Sequence, residues 1–276
     1  MINAKTQLYG IFGNPVSHSL SPVLHNAAFQ HRGINAVYLA FQPSSLHEAI
    51  ESMKSLPIHG ASITIPFKTD VLQYIDHLDP LAEDIGAVNT LVLREGRIHG
   101  YNTDGIGVLI PLQKAGFDSS RSRILILGNG GSARAIAYTL LQEGASVILC
   151  GRNRERVSRL VNELSCKYPS VESLLFNQLN SSLMLEVDFI INTTTVGMHP
   201  DIDDTPLSTD FLMPKHTVFD IVYAPPQTRL LLDAEERGCR IIKGLEMLLH
   251  QGARQFEIWT NQKAPLEIMR RALPAL

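Results

Sequence analysis

The chain has 276 residues, of which 45% are hydrophobic and 18% are charged, and its formal net charge is −3. This composition is typical of a folded globular protein and excludes a disordered chain. The net charge is small and negative and so does not favour binding to a polyanion. Neither nucleic acid nor an anionic membrane is therefore expected as a partner.

The first half of the chain alternates strand-like and helix-like segments. Strands are predicted at Leu8–Phe12, Ala36–Phe41 and Ala61–Ile65, with a hairpin that turns at Arg94-Glu95-Gly96. Helices are predicted from an N-cap at Ser21 to a stop at Gly33, from a capping box at Ser45 and Glu48 to Lys54, and over Thr69–Ile75. This half is therefore predicted to be an α/β unit with a mixed sheet.

The second half alternates more regularly. Strands are predicted at Arg123–Gly128, Ser146–Cys150, Asp188–Thr193, Val218–Tyr223 and Arg240–Ile242. Helices are predicted over Ser132–Glu143, Asn153–Lys167, Thr228–Arg237 and Leu245–Trp259. Apolar strands separated by helices at this spacing indicate right-handed βαβ units and a doubly wound parallel sheet. The boundary between the halves is predicted near Asp104–Ala115.

A glycine-rich loop lies between the first strand and the first helix of the second half. In LILGNGGSARA, the residues Gly128, Gly130 and Ala133 have the G-x-G-x-x-[GA] spacing. Gly128 allows a tight turn, Gly130 lets the backbone approach a pyrophosphate, and Ala133 lets the helix pack closely on the strand. The N–H groups of the helix N-terminus can then bind the phosphates, so the loop predicts a dinucleotide site. The alternative is a tight turn without a ligand.

The end of the next strand indicates which dinucleotide is bound. NAD-binding units usually carry an acidic residue there, but this chain has Gly151 and Arg152, with no carboxylate before Glu155. The guanidinium groups of Arg152 and Arg156 can instead bind a 2′-phosphate, which favours NADP. The alternative is a solvated, arginine-rich start of a helix.

Polar side chains follow several predicted strands of the first half. They are Ser17, Ser19, Ser21, Thr64, Lys68, Asn89, Asn102, Thr103 and Asp104. Each has an ordinary structural explanation, such as a helix cap, a turn or a solvated lysine at a helix start. Ligands of open α/β sheets bind beyond the carboxyl ends of strands, so their shared position predicts a substrate site. Clustered hydroxyls suit a carboxylate or polyol, and a lysine beside an aspartate suits proton transfer with an alcohol.

The motifs taken in order resemble the shikimate dehydrogenase family over essentially the whole chain. They are GNPVSHSLSPVLHN, ITIPFK, DIGAVNTL, GYNTDGIG, GNGGSARA, NTTTVGM, DIVYAP and GLEMLLHQGARQFEIWT. The resemblance implies reversible NADPH-dependent reduction of 3-dehydroshikimate to shikimate, with Lys68 and Asp104 as the catalytic pair. It also implies a two-domain α/β architecture, in which residues 1–104 and 244–276 bind substrate and residues 105–243 form a Rossmann-type NADP domain.

The resemblance assigns the remaining site residues. Substrate contacts are implied at Ser19, Ser21, Thr64, Asn89, Tyr223 and Gln251. Contacts with NADP are implied at Gly128, Asn129, Gly130, Gly131, Ser132, Ala133, Arg152, Arg156, Thr193 and Gly244. The chain departs from the usual motifs at four places in or near these sites. Ser62 replaces an asparagine, Gly151-Arg152-Asn153 replaces the motif NRT, NTTTVGM replaces NATSxGM, and Tyr223-Ala224-Pro225 replaces YNP.

Three further features concern ligands and cellular location. The ten histidines show no metal-ligand spacing, so no metal is expected. The cysteines Cys150, Cys166 and Cys239 are too few and too widely spaced for a disulfide framework, and neither a signal peptide nor a membrane span is visible. We therefore expect a cytoplasmic protein, as a monomer or homodimer. An NAD-dependent quinate/shikimate dehydrogenase and a catalytically silent ligand sensor remain the alternatives.

Overall fold

The computed structural model describes residues 2–56 and 58–274. Its internal contacts divide the chain into two compact units, one formed by Met1–Asp104 with Leu248–Ala275 and the other by Gly105–Met247. The C-terminal segment thus packs with the N-terminal unit, although it is distant in sequence. Within the described residues, no helix is long and apolar enough to cross a membrane.

The first unit is built on a six-stranded mixed sheet. Its strands are β1 (Gln7–Phe12), β2 (Ala36–Phe41), β3 (Ile58–Ile63), β4 (His77–Leu78), β5 (Thr90–Arg94) and β6 (Arg97–Tyr101). In the order β2-β1-β3-β5-β6-β4, β1 pairs in parallel with β2 and β3, whereas β5 is antiparallel to both β3 and β6. The predicted mixed sheet is therefore confirmed.

The second unit contains a six-stranded sheet in which every pairing is parallel. Its strands are β7 (Arg123–Leu127), β8 (Ser146–Gly151), β9 (Val171–Leu175), β10 (Phe189–Asn192), β11 (Thr217–Asp220) and β12 (Arg240–Ile242). The strand order is β12-β11-β10-β7-β8-β9, which is the order of dinucleotide-binding sheets. The strand order reverses between β7 and β10: β8 and β9 follow β7 toward one edge of the sheet, and β11 and β12 follow β10 toward the other. Such sheets bind ligands at the loops that follow the two strands where the order reverses.

Ten α-helices lie between or after these strands in the described residues, and the last two follow β12. They are α1 (Ser21–His31), α2 (Leu46–Ser55), α3 (Pro80–Ile85), α4 (Asp104–Lys114), α5 (Gly131–Gln142), α6 (Arg154–Ser165), α7 (Ser181–Met184), α8 (Arg229–Glu236), α9 (Gly244–Thr260) and α10 (Leu266–Ala272). Side-chain caps begin several of them, as where the Ser45 hydroxyl accepts a hydrogen bond from the Glu48 N–H at the start of α2.

Several predicted boundaries are wrong. The predicted strand Ala61–Ile65 is instead β3, which ends at Ile63 because the Thr64 carbonyl already accepts the Phe67 N–H in a turn. The predicted N-cap Ser21 is the first residue of α1, and Leu20 occupies the cap position. The predicted strand to Tyr223 ends at Asp220, where a hydrogen bond from the Val222 N–H to the Asp220 carboxylate turns the chain.

His25 lies in the core of the first unit, on α1. Its ring stacks on Tyr38 with centroids 4.6 Å apart and lies 4.9 Å from the ring of Trp259. The side chain is fully buried, and neither ring nitrogen has a hydrogen-bond partner of good geometry among the described residues. Burial therefore lowers the pKa of His25 to about 3, and the nearby Gln255 side chain offsets only part of this shift.

The buried imidazole predicts acid-sensitive stability. The unfolded chain binds a proton on His25 near its ordinary pKa of 6.5, whereas the native state stays neutral down to about pH 3. The unfolded state thus binds more protons across this range. The contribution of His25 therefore lowers the free energy of unfolding by about 2 kcal/mol as the pH falls from about 7.5 to 5. Denaturant titrations at the two pH values measure the change.

The matched variants are His25→Phe, which keeps an aromatic ring in the stack, and His31→Gln, which removes an exposed histidine of the same helix. The buried Asp220 also makes the free energy of unfolding of the wild type depend on pH, with the opposite sign to His25. The difference in free energy of unfolding between wild type and variant, compared at the two pH values, therefore isolates the contribution of His25. His25→Phe should lose about 2 kcal/mol of this dependence and His31→Gln should retain it. Equal dependence in both variants would contradict the assignment.

Candidate functional site

A lysine and two other polar residues meet at the strand ends of the first unit. Lys68 follows the turn after β3, Asn89 immediately precedes β5, and Asp104 begins α4 after β6. Backbone hydrogen bonds fix these positions: the Val88 N–H donates to the Lys68 carbonyl at 2.8 Å, and the Asn89 N–H donates to the Tyr101 carbonyl at 3.1 Å. The antiparallel β5–β6 pairing thus brings three sequence-distant segments together.

Lys68 and Asp104 form a hydrogen-bonded ion pair. The Lys68 ammonium donates to Oδ2 of Asp104. The Asp104 side chain is only 3% exposed, whereas that of Lys68 is 13% exposed. Because the carboxylate is buried and the ammonium is at the edge, the Lys68 Nζ is the member of the pair that a ligand in solvent can reach.

Asn89 holds the other carboxylate oxygen of Asp104. Its side-chain N–H₂ donates to Asp104 Oδ1 at 2.7 Å and to Thr103 Oγ1 at 3.0 Å. Its Oδ1 accepts from the Thr103 N–H at 2.9 Å and from Thr90 Oγ1 at 2.7 Å. Since both ends of the amide are bonded, Asp104 is oriented by a fixed donor on one oxygen and by Lys68 on the other.

The approach to Lys68 is shaped by the ends of β1 and β3. The Thr64 N–H donates to the Phe12 carbonyl at 3.0 Å, and the Asn14 N–H donates to the Ile65 carbonyl at 2.9 Å. A Cβ at Gly13 would clash with the Thr64 side chain, so the close approach of these two segments requires glycine. Thr64 is half-buried there, four residues before Lys68.

The other predicted substrate residues of the first unit have different surroundings. Ser19 is half-buried and its hydroxyl accepts the N–H of the buried Ser21 at 3.2 Å, so the two serines are neighbours at the start of α1. Gln251 is buried on α9, where its side-chain amide donates to the Leu248 carbonyl at 3.0 Å. The remaining predicted substrate residue, Tyr223, lies in the second unit, in the segment after β11.

In the second unit, the glycine-rich loop has the backbone that its sequence predicts. Gly128 follows β7 with φ of +121°, and a Cβ there would clash with Thr193. Gly130 occupies the N-cap position of α5 in an extended conformation, and the space around it is open. Because this cap carries no side chain, the first N–H groups of α5, from Gly131 onward, can bind an anion.

Several further residues predicted to contact the cofactor surround this loop. Ala133 is fully buried where α5 packs on the sheet, while Asn129 and Ser132 are half-buried. Thr193 follows β10, and its hydroxyl donates to the Leu127 carbonyl at 2.7 Å, which holds this residue beside Gly128. These contacts fit a dinucleotide at the carboxyl ends of β7 and β10.

Arg152 and Arg156 lie after β8, as predicted. Both are exposed, and neither has an ion-pair partner within the described part of the chain. Asn153 caps α6 by accepting the Arg156 N–H at 3.0 Å, so this helix begins directly after Arg152. Two unpaired guanidinium groups beside the loop fit a phosphate on the ribose.

A buried carboxylate organises the segment that carries Tyr223. Asp220 accepts hydrogen bonds from Asn192 Nδ2 at 2.9 Å, from the Val222 N–H at 3.0 Å and from Thr228 Oγ1 at 2.6 Å. Burial raises the pKa of Asp220 to about 6, despite these donors. Gly244, another predicted cofactor contact, begins α9 so close to the Val222 carbonyl that a Cβ would clash.

Two polar residues of the first unit, Gln255 and Tyr38, were not singled out from the sequence although hydrogen bonds connect them to the site. Gln255 donates to the Asn89 carbonyl at 3.1 Å and to Thr90 Oγ1 at 3.0 Å, and Tyr38 reaches the same cluster through Ser62. The spacing offers a signal for Gln255, because it lies four residues after Gln251 and therefore on the same face of α9. The sequence offers no comparable signal for Tyr38.

The geometry of the first unit supports proton transfer. An ammonium at the edge of the protein can give a proton to, or take one from, a ligand oxygen, while the buried carboxylate holds it in place. Neither group can transfer a hydride, so a redox reaction here requires a cofactor. Among the described residues, no cluster of three or more histidine, cysteine or acidic side chains could bind a metal.

Family models match the chain in three segments. The model described as the shikimate dehydrogenase substrate binding domain matches residues 11–91, and that of the shikimate / quinate 5-dehydrogenase matches residues 112–219. The model of the shikimate 5'-dehydrogenase C-terminal domain matches residues 244–273. The matches thus include the segments that carry Lys68, Asn89, the glycine-rich loop and Gln251.

Individual relatives match over nearly the full length. The shikimate dehydrogenase (NADP(+)) of Moorella thermoacetica is 43% identical over 279 residues, which cover 99% of this chain and 94% of the relative. A crystal structure of a shikimate dehydrogenase in complex with NADP+ has a TM-score of 0.92 at 38% identity and covers 99% of this chain and 96% of its own. The shikimate 5-dehydrogenase of Listeria monocytogenes in complex with shikimate and NAD has a TM-score of 0.86 at 36% identity, covering 98% and 97%.

Proposed function

The chain belongs to the shikimate dehydrogenase family. We propose that Lys68 transfers the proton in its reaction and that Asp104 positions Lys68. The protein is an NADP-dependent oxidoreductase that interconverts 3-dehydroshikimate and shikimate, a step in the biosynthesis of aromatic amino acids. The observation that carries the assignment of the pair is the ion pair itself, with a buried carboxylate and an ammonium at the edge.

In the proposed reaction, Lys68 exchanges the proton on the 3-oxygen of the substrate. During reduction the ammonium gives a proton to the oxygen of the ketone, and during oxidation the amine takes it back. Asp104 holds the Lys68 Nζ in position and stabilises its positive charge, while Asn89 fixes Asp104. NADP, when bound, supplies or accepts the hydride at the carbon that bears this oxygen.

The resemblance to the family suggests the remaining substrate contacts. Ser19 and Ser21 offer hydroxyl groups to the substrate carboxylate, helped by the phenol of Tyr223, and Thr64, Asn89 and Gln251 bind the ring hydroxyls. The adjacency of the two serines supports the first assignment, and the position of Thr64 in the turn before Lys68 supports the second. Hydroxyl and amide groups bind both carboxylate and alcohol oxygens.

We propose that residues 105–243, which lie within the second unit, form the NADP-binding domain. The glycine-rich loop from Gly128 to Ala133 would hold the pyrophosphate, and Thr193 and Gly244 would line the site. Arg152 and Arg156 would bind the 2′-phosphate. Residues 1–104 and 244–276 would then form the substrate-binding domain.

The arginine assignment predicts a cofactor-specific effect. Arg152→Ala should raise KM for NADP at least about tenfold, because a charge-assisted contact with the 2′-phosphate is lost, and should leave KM for NAD within about twofold. Arg154→Ala, which removes another exposed arginine of the same helix start, is the matched control and should affect neither cofactor. Equal losses with NAD and NADP after Arg152→Ala would assign the residue a structural role instead.

The activity is tested by mixing the protein with shikimate or quinate and with NADP or NAD, and following the absorbance of the reduced nicotinamide. The proposal expects the highest kcat/KM for shikimate with NADP. A preference for quinate with NAD would assign the chain to the quinate branch of the family, and no reduction in any mixture at any pH would identify a ligand sensor.

The protein is further proposed to be cytoplasmic, to act without nucleic acid, and to be a monomer or homodimer. All three cysteines are free, and Cys150 and Cys239 are buried, which suits a reducing compartment. Burial raises the pKa of the Cys150 thiol to about 12, so this thiol is unreactive at neutral pH.

A further inference from the structure

A chain of buried hydrogen bonds leads from the far side of the first sheet to the Lys68–Asp104 pair. It begins at Tyr38 on β2, whose hydroxyl donates to Ser62 Oγ on β3 at 2.7 Å. Ser62 in turn donates to Oε1 of Gln255 on α9 at 2.8 Å. Tyr38 is fully buried, Ser62 is 4% exposed and Gln255 is 1% exposed.

Gln255 connects these hydrogen bonds to Asn89, the residue that donates to Asp104, and to the following residue Thr90. Its side-chain N–H₂ donates to the Asn89 carbonyl at 3.1 Å and to Thr90 Oγ1 at 3.0 Å. Thr90 donates its hydroxyl proton to Asn89 Oδ1 at 2.7 Å. Gln255 therefore bonds directly to the backbone carbonyl of Asn89 and is linked indirectly, through the Thr90 hydroxyl, to the Asn89 side chain.

The donors and acceptors determine the direction of every bond in the chain. The Gln255 carbonyl oxygen faces a hydroxyl donor and its N–H₂ faces two oxygen acceptors, so the amide has one satisfied orientation. Because Thr90 Oγ1 accepts from Gln255, its single proton is directed to Asn89 Oδ1. The N–H₂ of Asn89 must then face Asp104, at 2.7 Å from Oδ1. A reversed Asn89 amide would place an oxygen against the carboxylate.

We propose that Gln255 is a positioning residue for the catalytic pair. Through Thr90 it supports the orientation of the Asn89 amide, whose Oδ1 also accepts the Thr103 N–H at 2.9 Å. The amide in turn fixes Asp104 and the lysine bound to it. This inference rests on the proposed function of Lys68 and Asp104. It also gives a role to Ser62, whose hydroxyl donates to Gln255 Oε1 and so orients this amide.

The inference is tested with Gln255→Leu, which keeps the size of the side chain but removes its donors and its acceptor. We expect kcat for shikimate oxidation to fall about tenfold and KM for NADP to stay within about twofold, because the orientation of the pair is disturbed and the cofactor unit is not. Arg254→Leu, at an exposed position of the same helix, is the matched control and should retain wild-type kcat.

Thr90→Val is a second, nearly isosteric variant that interrupts the series of hydrogen bonds at the residue after Gln255. It also tests the proposal if Gln255→Leu does not fold. It should lower kcat by a similar factor. The double variant should be no slower than the slower single variant, because both changes interrupt one path. Independent factors that multiply in the double variant would overturn the inference, as would wild-type kcat in Gln255→Leu or Thr90→Val.

A measurement that does not depend on enzymatic activity tests the positioning role of Gln255 separately from the proposed function. In NMR spectra of the complete protein, the two side-chain N–H signals of Asn89 should shift or broaden in Gln255→Leu and in Thr90→Val, and should stay unchanged in Arg254→Leu. Unchanged Asn89 signals in the first two variants would overturn the positioning role even in a protein that does not oxidise shikimate. A wild type that is inactive with shikimate would overturn the proposed function alone.

Discussion

Replacing Lys68 with alanine is expected to lower kcat for shikimate oxidation about a thousandfold, while KM for shikimate changes by less than about threefold. The reason is that Lys68 Nζ is the only group of the pair at the protein edge, since the Asp104 carboxylate is 3% exposed. Loss of the ammonium removes the proton exchange but leaves the proposed carboxylate and hydroxyl contacts. Steady-state kinetics with varied shikimate at saturating NADP measure both constants.

The control for this prediction is Lys54→Ala, which removes an exposed lysine of α2 in the same unit. It should retain wild-type kcat. Thermal unfolding of both variants verifies that the loss comes from the site rather than from the fold. A large rise in KM for shikimate with kcat preserved in Lys68→Ala would instead make Lys68 a substrate-binding residue that does not transfer a proton.

Replacing Asp104 with asparagine should lower kcat about a hundredfold. The two carboxylate oxygens accept from two donors, Lys68 Nζ and Asn89 Nδ2. An asparagine has one acceptor oxygen, so its own N–H₂ must face one of these donors and push it away. Lys68 then loses either its partner or its fixed position, and the same kinetic measurement detects the loss.

Asp118→Asn is the matched control for this variant, because it makes the same chemical change at an exposed turn of the second unit. Its kcat should equal that of the wild type. If Asp104→Asn retained more than about half of the wild-type kcat, the negative charge at this position would be unnecessary, and the ion pair would be a structural contact.

Apolar runs predicted most of the sheets because strands buried on both faces have few polar residues. The predicted strand Arg123–Gly128 contains the run ILIL, and β7 ends one residue before the predicted end, at Leu127. The strand β9, Val171–Leu175, was not predicted, because it forms the edge of its sheet and carries the exposed residues Glu172 and Ser173. The apolar run of ITIPFK similarly extends beyond β3, because its last residues form a turn.

The site was predictable as a set of residues but not as a network. The position of Lys68 and Asp104 at strand ends suggested proton transfer, and the resemblance supplied their roles. The hydrogen bond of Asn89 to Asp104 depends on the register of β5 against β6, which apolar periodicity does not determine. The contribution of Gln255 depends on the packing of a distant helix against β3 and β5, so no local pattern could predict its partners.

The central claim is that Lys68, held in position by Asp104, exchanges the proton on the reacting oxygen of the substrate. A crystal structure of the wild-type protein with shikimate and NADP tests it most directly. We predict the 3-hydroxyl of shikimate within about 3 Å of the Lys68 Nζ, with the Lys68–Asp104 ion pair retained. Shikimate bound with this hydroxyl on other residues, and with the Lys68–Asp104 pair intact and untouched, would contradict the claim.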